Sequence, residues 1–398
     1  MNDSTSFTGH FAFMHSQRAS RVLFLAVSGV FTMLAILLTG TAGSAQTSTG
    51  SSAAGPNTSA LTVGHVQAMK LLSPGTGWVL ESDHLLWSSD GGASWADITP
   101  PNAHDISGVF FLNREYGWTV FKQQNDGNGG QAAIAVASTS NGGQSWEVSQ
   151  IGSEALPRIE GIGGVSSIFF SDPEHGWLMF RLVSSSNFSF GILLKTADGG
   201  INWTRLPTPP AAGTLGFSSD QTGWMAGGPA GDKLWSTNDG GTAWTLTNLP
   251  KPNAEAQCGI KYSLPHFTSG GSGVLATTIV CPDHSDLVDY ASGNRGLSWH
   301  ILAQQTITTG GGISDIFDDH VVHILTKLST GLTTQTTSGL ASATVPELSR
   351  SGGTVTHASF VDDQNGWLLY STTTCVRPRT GCSTRSGILS TADGGQTY

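Results

Sequence analysis

A polar side chain that could bind a cation or transfer a proton recurs six times in the sequence. It lies in an eight-residue pattern, here called the box, of the form Ser/Thr-x-Asp/Asn-x-Gly-x-x-Trp/Tyr. The six copies are Asp90, Asn141, Asp198, Asp239, Asn294 and Asp393. Such a side chain can accept backbone N–H bonds at the start of a turn, where glycine tolerates positive φ. A catalytic group would be needed once and not in every copy, so the pattern predicts structural turns.

An aromatic residue follows each of these polar residues by five positions. The aromatic residues are Trp95, Trp146, Trp203, Trp244, Trp299 and Tyr398. We expect each of them to begin the next strand and to pack under its own hairpin. Truncation of a buried Trp costs about 3 to 5 kcal/mol. The boxes are therefore predicted to stabilise the fold.

Other groups of reactive residues give weaker signals. The sequence lacks the G-x-S-x-G, P-loop, H-E-x-x-H and calcium-loop motifs. His320 and His323 lie in a strand-like run, where residues three apart face opposite sides and do not share one metal ion. The Gly-rich segments GIGG, from Gly161, and GGG, from Gly310, match no phosphate-binding pattern, and we interpret both as connections. No metal or cofactor is predicted.

These motifs belong to a longer repeat. Upstream of the boxes, a strand-like segment and a polar turn precede a Gly-Trp pair. The pairs begin at Gly77, Gly117, Gly176, Gly223 and Gly366, with Gly273-Val274 as a weaker copy. The box Asp and Asn residues are 51, 57, 41 and 55 residues apart, and the last interval of 99 is two periods. Units of about 50 residues are typical of propeller blades.

The repeat predicts an all-β, seven-bladed β-propeller of four-stranded antiparallel blades. The boxes are expected at the turns between third and fourth strands. A composition with 52 glycines and only 12% charged residues agrees with strands and turns, and argues against a coiled coil or a helix-rich enzyme. With a net charge of -10 and no block of basic residues, nucleic acid is not an expected partner. We expect a monomer.

The box and the Gly-Trp pair resemble Asp-box (BNR) β-propellers, and most resemble the photosystem II assembly and stability factor family. The resemblance covers about residues 64 to 398 and implies an exported, non-catalytic propeller. The box also occurs in sialidases and xyloglucanases of the same superfamily, so a glycoside hydrolase is the alternative function. A cell-surface carbohydrate-binding module is a third hypothesis. Host and gene context would decide whether a link to photosynthesis applies.

A hydrolase would need residues that this sequence does not supply in the expected pattern. A sialidase needs three converging arginines and an early Arg-Ile-Pro-like segment, but the nearest match, at Arg158, follows two boxes. Xyloglucanase-type hydrolysis needs paired carboxylates. The candidates are Glu160, Asp283, Asp286 and Asp315. We interpret them as solvated loop residues.

Some units depart from the pattern. The fifth has Val274 in place of Trp and Arg295 in place of the first box glycine, and the sixth has lost its box. The sequence ends at Tyr398, where the outer strand of the seventh blade should begin. The expectation is either that residues 60–63 donate this strand or that the reading frame is truncated.

The N-terminal residues 1–45 have the features of an export signal. Arg18 and Arg21 precede an apolar run from Val22 to Leu38, and small residues end at Ala45. Cleavage after Ala45 is our first expectation and an uncleaved membrane anchor the alternative. Residues 46–60 should form a flexible linker, and residues 61–398 the propeller. The protein is therefore predicted to be secreted or periplasmic.

The four cysteines all lie in the part predicted to be exported, where thiols oxidise. Three pairings are open. Local pairing is the simplest, with Cys258 to Cys281 across one hairpin and Cys375 to Cys382 around a short loop. A zinc site is the competing interpretation, but the sequence has no C-x-x-C or companion His at ligand spacing.

An insertion between the second and third strands of the seventh blade concentrates three arginines, Arg377, Arg379 and Arg385. One interpretation is a solvated loop. The other is a rigid cationic finger, on the face opposite the boxes, that binds an acidic partner. Arg158 and Lys122 lie in other long connections of that face and are expected to contribute. The predicted function is binding or assembly of a protein partner, for which an envelope or photosynthetic membrane complex is one candidate.

Overall fold

The chain forms a ring of seven antiparallel sheets. The computed structural model describes residues 65–398 except 124–132, 157–160, 184–189, 253–257, 309–310, 328–330, 337–338, 347, 349–352 and 378–379. The expected signal (1–45), the linker and residues 60–63 lie outside the described residues. Among the residues that are described, no helix has the length and apolarity needed to cross a membrane.

The first four blades each contain four strands. Blade 1 has β1 (Val66–Ser73), β2 (Thr76–Glu81), β3 (His84–Ser88) and β4 (Ala96–Asp97). Blade 2 has β5 (His104–Phe111), β6 (Gly117–Gln123), β7 (Ala133–Thr139) and β8 (Glu147–Gln150). Blade 3 has β9 (Ile162–Phe170), β10 (Gly176–Leu182), β11 (Gly191–Thr196) and β12 (Thr204–Arg205). Blade 4 has β13 (Thr214–Phe217), β14 (Gly223–Gly227), β15 (Lys233–Thr237) and β16 (Thr245–Leu246).

The last three blades vary in strand number. Blade 5 has β17 (Gly259–Tyr262), β18 (His266–Phe267), β19 (Gly273–Val280), β20 (Ser285–Ser292) and β21 (His300–Ile307). Blade 6 has β22 (Gly311–Phe317), β23 (His320–Lys327), β24 (Gly331–Thr336) and β25 (Gly339–Ala343). Blade 7 has β26 (Thr354–Phe360), β27 (Gly366–Arg377) and β28 (Thr380–Thr391) among the described residues.

The predicted seven-bladed propeller is confirmed. Outside blade 5, each strand pairs antiparallel with the next one in the chain, so that the first strand of a blade is innermost and the fourth is outermost. The prediction of four strands per blade holds for five blades. In blade 5 the first strand is split, because β17 and β18 both pair with β19. Pro265 lies between them and has no N–H to donate to the ladder.

The glycine of each Gly-Trp pair lies beneath an aromatic ring. At Gly117, Gly176, Gly223, Gly273 and Gly366, a Cβ would collide with the ring of the Phe six residues earlier. These are Phe111, Phe170, Phe217, Phe267 and Phe360. Since the Phe ends the first strand and the glycine begins the second, the pair closes the turn between them by packing a ring onto bare backbone. In blade 1 the ring comes from the neighbouring blade instead, where Trp367 approaches Gly77.

The tryptophan of the pair joins one blade to the next. Trp118 of blade 2 stacks on Phe170 of blade 3 with ring centroids 3.7 Å apart, and its Nε1 donates to Gly199 O at 2.8 Å. Trp177 repeats the arrangement with Phe217 at 3.6 Å and Gly240 O at 2.8 Å. Both glycines belong to the box of the following blade. The two sequence signatures therefore meet at the blade interface.

A third repeated feature is a hydroxyl that caps a bulge in the inner strand. Ser107, Ser166, Ser263 and Thr356 each donate to a backbone carbonyl thirteen residues ahead, at 2.6 to 3.3 Å. Each lies eleven residues before the Trp or Val of the Gly-Trp pair. A bulge leaves a carbonyl without its ladder partner, and the hydroxyl satisfies it.

Cysteine pairing is as predicted. Cys258 is bonded to Cys281, with Cα atoms 4.4 Å apart, and Cys375 is bonded to Cys382, with Cα atoms 3.9 Å apart. Both bridges link neighbouring strands of one blade. Two disulfides are consistent with an extracellular or periplasmic location.

Candidate functional site

The boxes form closed hydrogen-bonded turns that follow the third strand of their blades, and in blades 1 to 5 the turn leads into the fourth strand. In blade 3, Asp198 Oδ1 accepts from Thr196 Oγ1 at 2.8 Å and from the Asn202 backbone at 2.9 Å. The Thr196 hydroxyl in turn accepts from Gly200 N at 3.0 Å. The same bonds are present at the other five boxes, with Asp90, Asn141, Asp239, Asn294 and Asp393 in the place of Asp198. Each side chain is thus engaged in its own turn.

Hydrogen bonds stabilise the ionised box carboxylates. The side chain and backbone of Ser94, together with the Ser88 hydroxyl, lower the pKa of Asp90 to about 2. The backbone of Ala243 and the Thr237 hydroxyl lower the pKa of Asp239 in the same way. A carboxyl held ionised in this manner is a poor proton donor near neutral pH.

The box aromatics pack as expected for structural residues in several blades. Trp95, Trp203 and Trp244 each donate Nε1 to the carbonyl of the second box glycine, at 3.0 to 3.1 Å. Trp146 departs from this pattern and donates to Ile98 O of the preceding blade at 2.8 Å. Trp299 is buried, and its Nε1 has no hydrogen-bond partner.

The carboxylates considered for hydrolysis are bound to structural partners. Asp315 Oδ2 accepts from the Phe360 backbone N at 2.6 Å, which joins blades 6 and 7. Asp286 accepts from Thr306 at 2.6 Å within blade 5. Asp283, which is exposed, contacts His284 at 2.7 Å, and this hydrogen bond lowers its pKa. Glu160 lies outside the described residues.

A buried polar chain links blades 5 and 6. His323 Nε2 is 2.9 Å from Asp289 Oδ2, and His323 Nδ1 is 2.8 Å from Ser314 Oγ. The side chains of His323 and Asp289 are only 7% and 10% exposed. Sequence reasoning placed His323 in a strand but did not find its partners, of which Ser314 is nine residues away and Asp289 is 34 residues away. The hydrogen-bonded side chains of Asp289, His323 and Ser314 are here called the clamp, because they connect blades 5 and 6.

The face opposite the boxes, here called the loop face, carries the turns between second and third strands. In antiparallel blades these turns lie at the other end from the box turns. Blade 7 extends farthest here. Its strands β27 and β28 pair out to Arg377 and Thr380, whereas β26 ends its pairing at Ser371. The insertion therefore forms a two-stranded projection, the finger (372–385).

The structure describes only some of the residues of the predicted cationic site. Arg385 is exposed on β28, opposite Thr372. Arg377 lies at the end of β27, and Arg379 and Arg158 lie outside the described residues. Cys375 and Cys382 are directly opposite each other, so the disulfide ties the two arms near the tip. The fifth predicted contributor, Lys122, lies in blade 2.

Lys122 lines a cavity of about 390 Å³ on the loop face of blades 1, 2 and 3. The polar lining residues are Gln67, Asp83, Asp105, Ser107 and Lys122. The apolar lining residues are Ile106, Phe121, Ile134, Ile162 and Phe180, and bare backbone is added by Gly163 and Gly164. Lys122 Nζ is 3.0 Å from Asp105 Oδ2, so the predicted free cation is one member of an ion pair.

Irregular pairing of the inner strands shapes this cavity. In blade 2, residues 105–107 stand opposite Phe121 alone, and Asp105 has a φ of 49°. In blade 3 the pairing skips Gly163, and in blade 1 it skips Gln67. Bulges of this kind are frequent beside binding sites because they redirect side chains. The sequence alone gave no signal for these register shifts.

The GIGG segment is not only a connection. Ile162, Gly163 and Gly164 belong to β9, the innermost strand of blade 3, and all three line the cavity. Gly164 has a φ of 124°, which disfavours any side chain, and no atom lies within 4 Å of where its Cβ would be. Expecting a connection was therefore wrong for these residues, since Ile162 and Gly164 pair with β10 and Gly163 is the bulge between them.

Comparison with known proteins gives only distant similarities. No protein-family model and no curated protein matches the chain. YCF48 from Cyanidioschyzon merolae is similar over 76% of this chain and 99% of its own, with 14% identity and a TM-score of 0.43. An ancestral GH74 enzyme is 12% identical over 81% of this chain and 46% of its own, with a TM-score of 0.47. The sialidase of Trypanosoma rangeli is 8% identical over 84% and 59%, with a TM-score of 0.39.

Proposed function

We propose that the protein is an exported, non-catalytic propeller that binds a protein partner through its loop face. The observation that carries the proposal is the finger, a disulfide-tied hairpin that extends beyond the inner strand of its blade. Cross-linking its arms reduces the conformational entropy lost on binding. With Arg377 at the end of β27 and Arg385 exposed on β28, it suits an acidic surface.

The absence of a catalytic role is inferred from how the reactive residues are used. The box carboxylates hold turns, Asp315 bonds a neighbouring blade, and Asp286 bonds its own sheet. A glycoside hydrolase would need two carboxyl groups free to face a sugar. Turnover of a fluorogenic sialoside or of xyloglucan by the pure protein would contradict the proposal.

The finger can be tested by locating the partner. A photocrosslinking residue at the exposed position Thr373, in the finger, should capture an envelope protein of the host. The same residue at Ser94, exposed in a box, should not. Replacing Arg377, Arg379 and Arg385 together by Ser should abolish the capture without changing the melting temperature, because surface substitutions usually change stability by about 0.5 kcal/mol or less.

Three results would count against the finger. Equal capture from the finger and the box would mean that the loop face is not the binding surface. Unchanged capture by the triple Arg variant would mean that its charges do not contribute. Early melting of that variant would show instead that the arginines support the fold.

A further inference from the structure

The cavity of blades 1 to 3 has an apolar floor and a charged rim. Phe121 and Phe180 are 1% exposed, and Ile106 is 4% exposed, so the floor belongs to the core of the blades. Asp105 and Lys122, by contrast, are 65% and 54% exposed at the rim. A ligand with an aliphatic stem and a polar end would match this lining.

The charge at the rim is acidic. Among the described residues that line the cavity, two are carboxylates, Asp83 and Asp105, and one is an ammonium, Lys122. The contact between Lys122 and Asp105 is solvent-exposed, and exposed ion pairs of this kind are weak. A cation from outside can therefore replace Lys122 at Asp105, and an anionic ligand would be repelled.

One wall of the cavity is bare backbone. Gly163 and Gly164 present no side chain, and the space above Gly164 is open. They lie in β9, which pairs with β10 on one edge only in the described sheet. The other edge of an innermost strand can offer N–H and C=O groups to an extended polypeptide.

We propose that this cavity binds the lysine or arginine side chain of an extended segment of a partner protein. The aliphatic stem lies on the apolar floor, the cation meets Asp105 and Asp83, and the segment follows the bare wall at Gly163 and Gly164. The inference rests on the proposed function only in that the partner is a protein. The partner would then present a basic side chain to the cavity and an acidic surface to the finger.

The probe is a short peptide, acetyl-Gly-Lys-Gly-amide, titrated into the full propeller and followed by calorimetry or NMR. We expect it and its Arg counterpart to bind about 10-fold more tightly than the peptide with norleucine, which has the same stem without the charge. Salt should weaken the difference, since the rim is exposed. The Asp105→Asn variant should lose about 5-fold or more in affinity for the Lys peptide.

The decisive variant is Lys122→Met. It keeps the stem length and removes the internal competitor for Asp105, so the Lys peptide should bind several-fold more tightly. Lys233→Met is the matched control, because Lys233 forms a similar surface pair with Asp232, at 2.9 Å, in blade 4. The control should leave the affinity unchanged. Melting temperatures of all variants show whether they are folded.

Specific results would overturn the proposal. Equal binding of the lysine and norleucine peptides, or no binding of either, would show that the rim does not select a cation. Unchanged or weaker binding by the folded Lys122→Met variant would show that Asp105 is not the receiving group. The finger variant should still bind the peptide, so failure here leaves the proposed function standing, and loss of capture at the finger leaves this site standing.

Discussion

At the scale of single residues, the boxes show how one turn tolerates different side chains. Asn141 and Asn294 replace aspartate and donate Nδ2 to the hydroxyl of a serine four residues later, at 2.8 Å. Aspartate instead accepts from that hydroxyl, as Asp90 does from Ser94. Both side chains keep the Oδ1 atom that accepts the backbone N–H bond closing the turn. The residue type therefore changes the charge of the box but not the hydrogen-bonded geometry of its turn.

The lowered pKa of Asp90 predicts an acid-dependent contribution to stability. Its pKa in the folded protein is about 2, below the ordinary value of 3.8. A group with a depressed folded pKa stabilises the protein above its unfolded pKa, and this contribution is lost as the pH falls toward the folded pKa. Asn at position 90 can donate to the Ser94 hydroxyl, as Asn141 does to Ser145. The Asp90→Asn variant should therefore have the same melting temperature as the parent near neutral pH. Between about pH 4 and pH 2 it should lose less stability than the parent. If the melting temperatures of the parent and the variant fall by the same amount across that pH range, the prediction is wrong.

Arg295 is a local defect in the box of blade 5. It has a φ of 57° at a position where the other boxes have glycine. The left-handed region costs a residue with a side chain roughly 1 to 2 kcal/mol, and part of this is offset by the larger backbone entropy of unfolded glycine. Arg295→Gly should therefore stabilise the protein by about 0.5 kcal/mol.

Gly91 supplies the reverse experiment. It holds the same box position in blade 1, with a φ of 78° and no atom within 4 Å of a Cβ. Gly91→Ala should destabilise the protein by about 1 kcal/mol through backbone conformation alone. Melting temperatures that move in the same direction for Arg295→Gly and Gly91→Ala would refute the interpretation that a side chain at this box position is strained by its positive φ.

At the scale of the structural element, the first turn of each blade depends on a ring lying on a glycine. Phe170 covers Gly176 and also stacks on Trp118 of the preceding blade. The ring thus links its own hairpin to the neighbouring blade. A side chain at the glycine would disturb both contacts.

Gly176→Ala should destabilise the protein by about 1 to 3 kcal/mol, because the added methyl must displace Phe170 in a close-packed interface. Gly293→Ala is the control, since no atom lies near its Cβ and its φ is not in the left-handed region. The control should be neutral or slightly stabilising. Denaturant unfolding measures both variants, and similar losses would show that the ring is not the cause.

At the scale of the whole molecule, the blades are joined around the ring by contacts of several kinds. The Trp–Phe stacks join blades 2 to 3 and 3 to 4, and backbone N–H donation to Asp315 joins 6 to 7. The Ser359 hydroxyl accepts from Leu71 N at 3.0 Å and joins blade 7 to blade 1. With the clamp between blades 5 and 6, neighbouring sheets support one another.

This linkage predicts that damage at one interface lowers the stability of the whole ring. Asp289→Ala leaves the buried His323 Nε2 without its hydrogen-bond partner, and an unsatisfied buried polar group costs about 1 to 3 kcal/mol. Far-UV circular dichroism and tryptophan fluorescence should report one coincident transition, shifted downward, although blades 2 to 4 hold most of the tryptophan stacks. An early transition in only one signal would indicate that blades 5 and 6 unfold on their own.

The sequence by itself determined the blade number, the position of the boxes and both disulfides, because these depend on local patterns that recur with a fixed period. Two further spacings in the sequence mark contacts within the blades. A Phe six residues before the Gly-Trp glycine, and a Ser or Thr eleven residues before the Trp, each recur in several blades. Both act within one hairpin, and so they leave a trace in residue spacing.

Tertiary structure alone decided the contacts between blades and the shape of the cavity. Asp289 and His323 are 34 residues apart in sequence, and nothing in either neighbourhood indicates that they meet. The cavity depends on register shifts in three separate inner strands, and a shift changes pairing without changing composition. Lys122 could be read as a cation from its type, but its pairing with Asp105 follows from a bulge that redirects the carboxylate. Local repetition specifies a blade, whereas the shape of the cavity depends on how three blades meet.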